Sequence, residues 1–151
     1  MRALLQRVEQ ASVTSAPEAG APHVEVGRIG AGLVALVGAT HDDDEAAARR
    51  LADKLVALRV FDDEEGVPNR SCLDVGGQVL VVSQFTLYAD VRKGRRPSYV
   101  RAAPPDVAEP LVDTVAERVA EHGVSVATGR FRTHMRVHLV NDGPYTLWLE
   151  L

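Results

Sequence analysis

Residues 79–90 read Val-Leu-Val-Val-Ser-Gln-Phe-Thr-Leu-Tyr-Ala-Asp and change from an apolar run to a polar segment. The first four residues are continuously apolar, which is typical of a strand buried on both faces. The next four, Ser-Gln-Phe-Thr, put hydroxyl and amide groups at the end of that strand. A rigid strand end that carries polar groups is a common position for a bound substrate.

A cationic segment follows this polar strand end. Residues 92–96 read Arg-Lys-Gly-Arg-Arg and are the densest positive charge in the sequence. The formal net charge of the whole chain is −4, so any affinity for nucleic acid has to be local. A polar strand end beside a cationic loop predicts a site for an anionic ligand with a reactive end.

Length and composition predict one globular domain that spans residues 1–151. The contents of 46% hydrophobic and 25% charged residues are ordinary for a soluble protein. The single cysteine, Cys72, excludes an internal disulfide and favours a reducing compartment. No apolar run approaches the ~20 residues of a membrane-spanning helix, and the first residues are too short in apolar length for a signal peptide. We therefore expect a cytoplasmic protein that has no membrane partner.

The remaining sequence alternates short strand patterns with two helix patterns. Strands are predicted at 2–8, 24–26, 33–38, 124–127, 135–140 and 145–149. One helix is predicted after the acidic residues 42–45, and a second from about 102 to a glycine cap at 123. The glycines of 27–32 precede a strand and read G-x-x-G-x-G, which favours a hairpin turn over a dinucleotide-binding loop. The pattern predicts an α+β unit.

Conventional catalytic signatures are absent around the polar strand end. Ser83 does not lie in a G-x-S-x-G motif, and no histidine is close to it in sequence. Thr86 could be a nucleophile, although no neighbouring base is visible to activate it, or it could orient the substrate. His134 and His138 are four residues apart but have no evident third ligand, so no metal site is expected.

Residues 141–144, Asn-Asp-Gly-Pro, interrupt the last strand pattern. Composition alone favours an ordinary turn between two strands. Proline, however, fixes its own φ, and an X–Pro bond can adopt the cis form, which would point the flanking carbonyls in a direction that other backbone does not reach. The segment is therefore either a simple turn or a rigid backbone element of a site.

Taken together, the segments 83–87 (Ser-Gln-Phe-Thr-Leu) and 141–146 (Asn-Asp-Gly-Pro-Tyr-Thr) resemble those of the bacterial-type D-aminoacyl-tRNA deacylases, the D-Tyr-tRNA deacylase family. The resemblance runs nearly end to end and includes 6–8 (Gln-Arg-Val), 58–61 (Leu-Arg-Val-Phe), 96–99 (Arg-Pro-Ser-Tyr) and 128–131 (Thr-Gly-Arg-Phe). It departs in the loop 15–22, which is a few residues long, and at 132–133, where Arg-Thr replaces small residues.

The resemblance implies a homodimer whose subunit is a domain of mainly antiparallel, barrel-like β-sheets with two main α-helices packed against them. It implies hydrolysis of the ester that joins a D-amino acid to its tRNA, with no cofactor and no metal. The attacking water would be assisted by the 2′-hydroxyl of the terminal adenosine. We also expect activity on glycyl-tRNA, because glycine has no side chain to exclude.

The resemblance also assigns roles to individual residues. Phe85 and Thr86 match the catalytic positions, whose backbone N–H groups would stabilise the oxyanion. The implied substrate-binding residues are Ser83, Gln84, Phe131, Met135, Gly143 and Pro144, of which the last two reach the partner's site and reject L-amino acids. Arg7 and Asn141 would support that Gly-Pro turn. The candidate tRNA-binding residues are Arg92, Lys93, Arg95 and Arg96, with Arg130, Arg132 and Arg136 as possible extensions of the same patch.

Functions of other classes remain open at this stage. A non-catalytic RNA-binding module could use the same basic loop, although the aromatic content of 5% offers few stacking platforms. A small-molecule hydrolase could use Thr86 as a covalent nucleophile. Proofreading of another mischarged tRNA is a close variant of the implied activity. No DNA partner is expected.

Overall fold

The structure is a computed structural model that describes residues 1–151. It contains a short 3-10 turn (Phe85–Tyr88) and two helices, α1 (Glu45–Ala57) and α2 (Pro105–Glu121). The strands are β1 (Arg2–Ala16), β2 (Val24–Ile29), β3 (Gly32–Gly38), β4 (Phe61–Asp62), β5 (Pro68–Arg70), β6 (Gln78–Ser83), β7 (Ser125–Thr128) and β8 (His134–Glu150). The predicted α+β class with two main helices is confirmed.

The main sheet has six strands in the order β2-β1-β3-β6-β7, with β8 paired to β1. β1 runs antiparallel to β2, β3 and β8, whereas the β3–β6 and β6–β7 pairs are parallel. β2 also contacts β6 and β7, so the sheet curls into a nearly closed barrel. β8 pairs only with β1, and its other edge has no strand partner.

β6 is buried on both faces, as its continuous apolar run predicts. Val79 and Val81 belong to the larger core cluster, which includes the buried faces of α1 and α2. Leu80 and Val82 belong to a smaller cluster inside the curled sheet. Burial of each such side chain contributes about 1.5–3 kcal/mol, so this strand joins the two halves of the core and gives its end a fixed position.

The two helices begin and end near the predicted residues. Asp44 caps α1, since its carboxylate accepts the Ala47 N–H at 2.7 Å. α2 starts with Pro105, and Gly123 follows its end with a φ of +82°. No helix of the structure has both the length and the apolar character needed to cross a membrane.

The hairpin predicted at 27–32 is wrong. β2 and β3 do not pair with each other but lie end to end along the same edge of β1. Position 32 requires glycine because the backbone of β6 lies close to it. A Cβ there would lie 1.9 Å from the Gln78 carbonyl oxygen. The strand predicted at 2–8 is also too short, since Ala11 and Val13 bury their side chains and β1 continues to residue 16.

β8 forms one long strand where two were predicted, but its pairing with β1 breaks at the predicted interruption. Gln6 pairs with Thr146 and Val8 with Asn141, so residues 142–145 bulge from the ladder opposite Arg7. The peptide bond between Gly143 and Pro144 is cis. The turn that interrupts the sequence pattern is therefore an excursion from a strand that otherwise continues.

Candidate active site

A cavity of about 570 Å³ opens at the carboxyl ends of β3 and β6. Because these two strands are parallel, their ends meet at the same edge of the sheet. The start of α2 and the segment 131–137 close the other sides, and 12 of the 18 lining residues are hydrophobic. Five predicted site residues line the cavity together: Ser83, Gln84, Phe85, Phe131 and Met135.

The first wall of the cavity is the segment that follows β6. The Gln84 N–H donates to the Val37 carbonyl oxygen at 2.7 Å, which ties this segment to the end of β3. The Gln84 side-chain amide donates to the Thr86 hydroxyl, and Thr86 does not line the cavity. A Cβ at Gly38 would lie 2.8 Å from the Gln84 carbonyl oxygen, so only glycine lets this wall approach β3 as closely as it does.

The 3-10 turn 85–88 is held at its far end by a cation. Arg2 donates from Nη1 to the Leu87 carbonyl oxygen at 2.9 Å, and its guanidinium lies 4.4 Å from the centroid of the Tyr88 ring. At the near end, the N–H groups of Phe85 and Thr86 are the first of the turn and have no acceptor within it. The turn can therefore present two backbone donors from a fixed position.

Two aromatic rings mark the rim of the cavity. The Phe85 side chain is 54% exposed and packs edge-to-face against Tyr99, with ring centroids 5.0 Å apart. Tyr99 was not assigned to the site from sequence, although it belongs to the motif at 96–99. Its position after the basic loop carries no periodic signal that would have shown its role.

Another wall of the cavity is the turn that leads into β8. The Thr133 hydroxyl donates to the Arg130 carbonyl oxygen and accepts a hydrogen bond from the Ser15 hydroxyl, both at 2.8 Å. Arg132 lines the cavity with a φ of +56°, and it is the only non-glycine residue of the chain with a positive φ. This wall therefore carries a charged side chain on a backbone conformation that favours glycine.

The excursion at 142–145 is anchored by Arg7, which is only 6% exposed. Its Nη1 donates to the Val60 carbonyl oxygen at 2.6 Å, and its Nε lies 2.8 Å from a carboxylate oxygen of Asp142. The guanidinium also lies 4.2 Å from the centroid of the Tyr145 ring. From the other side, Asn141 donates its amide to the carbonyl oxygens of Arg7 and Tyr145, at 2.8 and 3.3 Å.

The turn itself lies away from the cavity of its own chain. Gly143 and Pro144 are exposed, and neither is among the residues that line the cavity. The structure thus brings Arg7 and Asn141 to the turn but does not bring the turn to the residues at 83–86 of the same chain.

The basic loop 92–96 is exposed throughout and projects from the rim of the cavity. Asp90 and Ser98 close its base with two backbone hydrogen bonds of 2.8 and 2.9 Å, and the next residue, Tyr99, lines the cavity. Arg92 is paired with Asp90 at 2.5 Å, and this contact holds the pKa of the Asp90 carboxyl well below its usual range. The other basic side chains of this loop, Lys93, Arg95 and Arg96, form no ion pair.

The cavity contains no side chain that could act as a base near neutral pH. No aspartate, glutamate, histidine, lysine or cysteine is among its lining residues. Cys72 lies in the core, where burial raises the pKa of its thiol to about 11. The cavity can hold an apolar group, restrict the water around it and donate backbone hydrogen bonds, but its own residues cannot remove a proton from water.

Comparisons with known proteins give one consistent family. A family model described as D-Tyr-tRNA(Tyr) deacylase matches residues 4–150. A D-aminoacyl-tRNA deacylase of Thermomicrobium roseum is 59% identical over 150 residues, which are 99% of this chain and 94% of that protein. One of Nocardia farcinica is 58% identical over 153 residues, which cover 99% of each chain.

Two solved structures have the same fold. One is titled "c-Myc DNA Unwinding Element Binding Protein"; it is 35% identical, superposes with a TM-score of 0.88 and is matched over 100% of this chain and 99% of that one. The other is titled "Structural Analysis of a probable eukaryotic D-amino acid tRNA deacylase". Its TM-score is 0.82 over 99% of this chain and 98% of that one, and at 20% identity it supports the fold alone.

Proposed function

The chain belongs to the D-Tyr-tRNA(Tyr) deacylase family and is a hydrolase of D-aminoacyl-tRNA, and from this premise we propose how its cavity selects and cleaves the ester. The observation that carries the proposal is the absence of any carboxylate, imidazole or amine from the lining of an otherwise well-formed cavity. A site of this composition suits a reaction in which the substrate supplies the proton transfer.

In the proposed reaction, water attacks the carbonyl carbon of the aminoacyl ester while the substrate's own 2′-hydroxyl takes up the proton. The bond between that carbon and the 3′-oxygen then breaks, and the 3′-oxygen receives the proton. The products are the free D-amino acid and tRNA with an intact 3′ end. An aminoacyl ester is already activated, so orientation within the cavity and a few hydrogen bonds are enough to accelerate its hydrolysis.

The negative charge that develops on the carbonyl oxygen would be stabilised by the N–H groups of Phe85 and Thr86. Their position at the start of the 3-10 turn supports this role, because main-chain donors held by β6 and by Arg2 need no rearrangement during the reaction. Loss of one such donor in other enzymes costs about 10²–10³ in rate.

A substrate that lacks the 2′-hydroxyl tests this mechanism. D-tyrosyl-tRNA ending in 2′-deoxyadenosine should bind with a similar KM and be hydrolysed at least about 100-fold more slowly, the size of a lost general-base step. The matched control is the same tRNA ending in adenosine. Equal rates for the two substrates would contradict assistance by the 2′-hydroxyl.

We assign the rejection of L-amino acids to the backbone of Gly143 and Pro144 supplied by a second subunit. Two carbonyl groups at the position of an L side chain would exclude L residues of every size. The support is the geometry of the turn, which is exposed, lies away from its own cavity and is held firmly by the buried Arg7. A group rigidly fixed but unused by its own chain is suited to act on a neighbour.

Glycyl-tRNA tests exclusion by the backbone. Glycine carries no side chain to exclude, so glycyl-tRNA should be hydrolysed, while L-alanyl-tRNA, with one methyl group more, should not. Complete inertness of glycyl-tRNA at high enzyme concentration would contradict a purely steric filter. Cleavage of both would show that the filter does not operate.

We also propose a homodimer, which the same arrangement supports. β8 has a long edge without a strand partner, and such edges are normally covered in native proteins. Large apolar side chains are exposed on the same strand, with Val140 at 43% and Trp148 at 49%. In a two-fold dimer each turn would enter the other subunit's cavity, so two sites would form together.

Disulfide trapping tests the exchange of turns. The native Cys72 is buried, so engineered cysteines report on contacts without interference. A mixture of Ser83→Cys and Gly143→Cys variants should form a mixed disulfide between the two chains under mild oxidation. In the control, the Gly143→Cys variant is exchanged for a Glu18→Cys variant, since Glu18 is exposed in the loop before β2. Equal trapping by Gly143→Cys and Glu18→Cys would contradict insertion of the turn.

We further propose that the protein acts in the cytoplasm, where aminoacylated tRNA is used. We also propose that the basic loop binds tRNA phosphates. The double substitution Arg95→Gln and Arg96→Gln should weaken binding and lower the salt dependence of log K by about 1.4–1.8. Arg92→Gln is the matched control with a smaller effect, because Asp90 already pairs with Arg92. An unchanged slope would remove the loop from the interface, and competition by duplex DNA tests the expected preference for tRNA.

A further inference from the structure

The lining of the cavity includes one permanently charged side chain, that of Arg132. This residue is exposed, and its guanidinium takes part in none of the salt bridges of the structure. No carboxylate is present among the lining residues to neutralise it. The cavity therefore has an uncompensated positive charge in one wall.

The backbone fixes where this side chain begins. A φ of +56° is uncommon for a residue that carries a side chain, and such conformations persist where the surroundings determine them. Here Phe131 packs against the larger core cluster on one side of the residue. On the other side, the Thr133 hydroxyl is held by hydrogen bonds to the Arg130 carbonyl and the Ser15 hydroxyl. The base of the Arg132 side chain is thus held between two anchored neighbours.

The proposed substrate presents one kind of anion next to the cavity. An aminoacyl group without an acidic side chain, such as tyrosyl, and the terminal adenosine carry no negative charge. The first anionic group beyond them is the phosphodiester that joins the adenosine to the preceding nucleotide. We propose that Arg132 binds this phosphodiester and so positions the 3′ end of the tRNA in the cavity. Guanidinium matches two phosphate oxygens with parallel hydrogen bonds, which fixes orientation as well as affinity.

The inference rests on the proposed function, and it adds a contact that the basic loop cannot make. The loop projects from the rim beside Tyr99, whereas Arg132 belongs to a different segment of the lining, the turn before β8. Contacts at two separate points of the opening would fix how far the tRNA end enters the cavity and how it is oriented there. Arg132 is in this account a positioning residue, since it touches the substrate away from the bond that breaks.

The test compares Arg132→Gly and Arg132→Lys with the wild-type protein. Glycine accepts the positive φ, so this variant removes the charge without straining the turn. Arg50→Gln, on the exposed side of α1, removes a charge of the same sign away from the cavity and is the control. Each protein is assayed with D-tyrosyl-tRNA and with D-tyrosyl-adenosine, which contains the nucleoside and ester but no phosphate.

We expect Arg132→Gly to raise KM for D-tyrosyl-tRNA about tenfold, the size of one charge-assisted hydrogen-bonded contact, and to change KM for D-tyrosyl-adenosine less than twofold. The salt dependence of log KM should fall by about 0.7. Arg132→Lys should recover part of the loss, and Arg50→Gln should match the wild type.

D-aspartyl-tRNA is assayed as a third substrate. Three results would overturn the inference: no change in KM, an equal loss with D-tyrosyl-tRNA and D-tyrosyl-adenosine, or a loss confined to D-aspartyl-tRNA. The last would mean that Arg132 binds an acidic amino-acid side chain. Hydrolysis of D-tyrosyl-tRNA by the wild-type protein is measured first. Its failure would count against the proposed function, while the comparison of variants counts only for or against the role of Arg132.

Discussion

Replacing Arg7 with methionine perturbs the anchor of the Gly143–Pro144 turn while keeping most of the apolar stem. The side chain is 6% exposed, and its shortest hydrogen bond, 2.6 Å, goes to the carbonyl oxygen of the buried Val60. Loss of a charged donor to a buried acceptor costs about 1.5–3 kcal/mol. The carboxylates of Asp62 and Asp142 are each 45% exposed, so the ion pairs with them add little.

The total expected loss is about 3 kcal/mol, which lowers the melting temperature of a domain of this size by roughly 6–12 °C. Thermal unfolding followed by circular dichroism measures it. Arg28→Met is the matched control, since Arg28 and its partner Glu25 are 60% and 43% exposed and water screens their ion pair, so its loss should hardly change the melting temperature. The variant should also lose part of its preference for D- over L-tyrosyl-tRNA. Equal melting temperatures for Arg7→Met and Arg28→Met would show that the buried contacts of Arg7 do not stabilise the protein.

Three further changes test other parts of the account. Gly38→Ala brings a Cβ to 2.8 Å from the Gln84 carbonyl and should cost about 1–3 kcal/mol in urea unfolding, whereas Gly30→Ala, with its nearest atom at 3.6 Å, should cost less than about 1. Burial raises the pKa of the Cys72 thiol from 9.0 to about 11. The stability contributed by the protonated thiol should therefore be complete below pH 9.0 and be lost as the pH rises toward about 11. Cys72→Ala should abolish this loss. Thr86→Ala should retain turnover within about tenfold, because the hydroxyl contacts Gln84 and the proposed reaction does not use it as a nucleophile. A trapped acyl-enzyme on Thr86, seen by mass spectrometry, would instead support a covalent mechanism.

Local sequence patterns predict the parts of this fold whose burial or capping can be recognised from consecutive residues. The continuous apolar run identifies β6 because burial on both faces leaves no position for a polar residue. The acidic cluster identifies the start of α1 because the Asp44 carboxylate bonds to a nearby N–H group. The polar residues after β6 identify one wall of the cavity for the same reason, since they mark where burial ends.

Features that depend on distant segments are not predicted in this way. The glycines at 27–32 look like a hairpin, yet Gly32 is required by the approach of Gln78 from another strand. Arg92 looks like a free cation in the sequence, yet it pairs with Asp90, two residues away, at the base of the loop that Asp90 and Ser98 close. Tyr99 reaches the cavity through the same closure of the loop, which no local periodicity reports.

The most direct measurement is hydrolysis of matched D- and L-tyrosyl-tRNA by the purified wild-type protein. It tests whether a cavity with a rigid main chain and no catalytic side chain discriminates between the two substrates. The account predicts rapid release of D-tyrosine and no release of L-tyrosine above the uncatalysed rate. Comparable release of both amino acids, or release of neither, would contradict it.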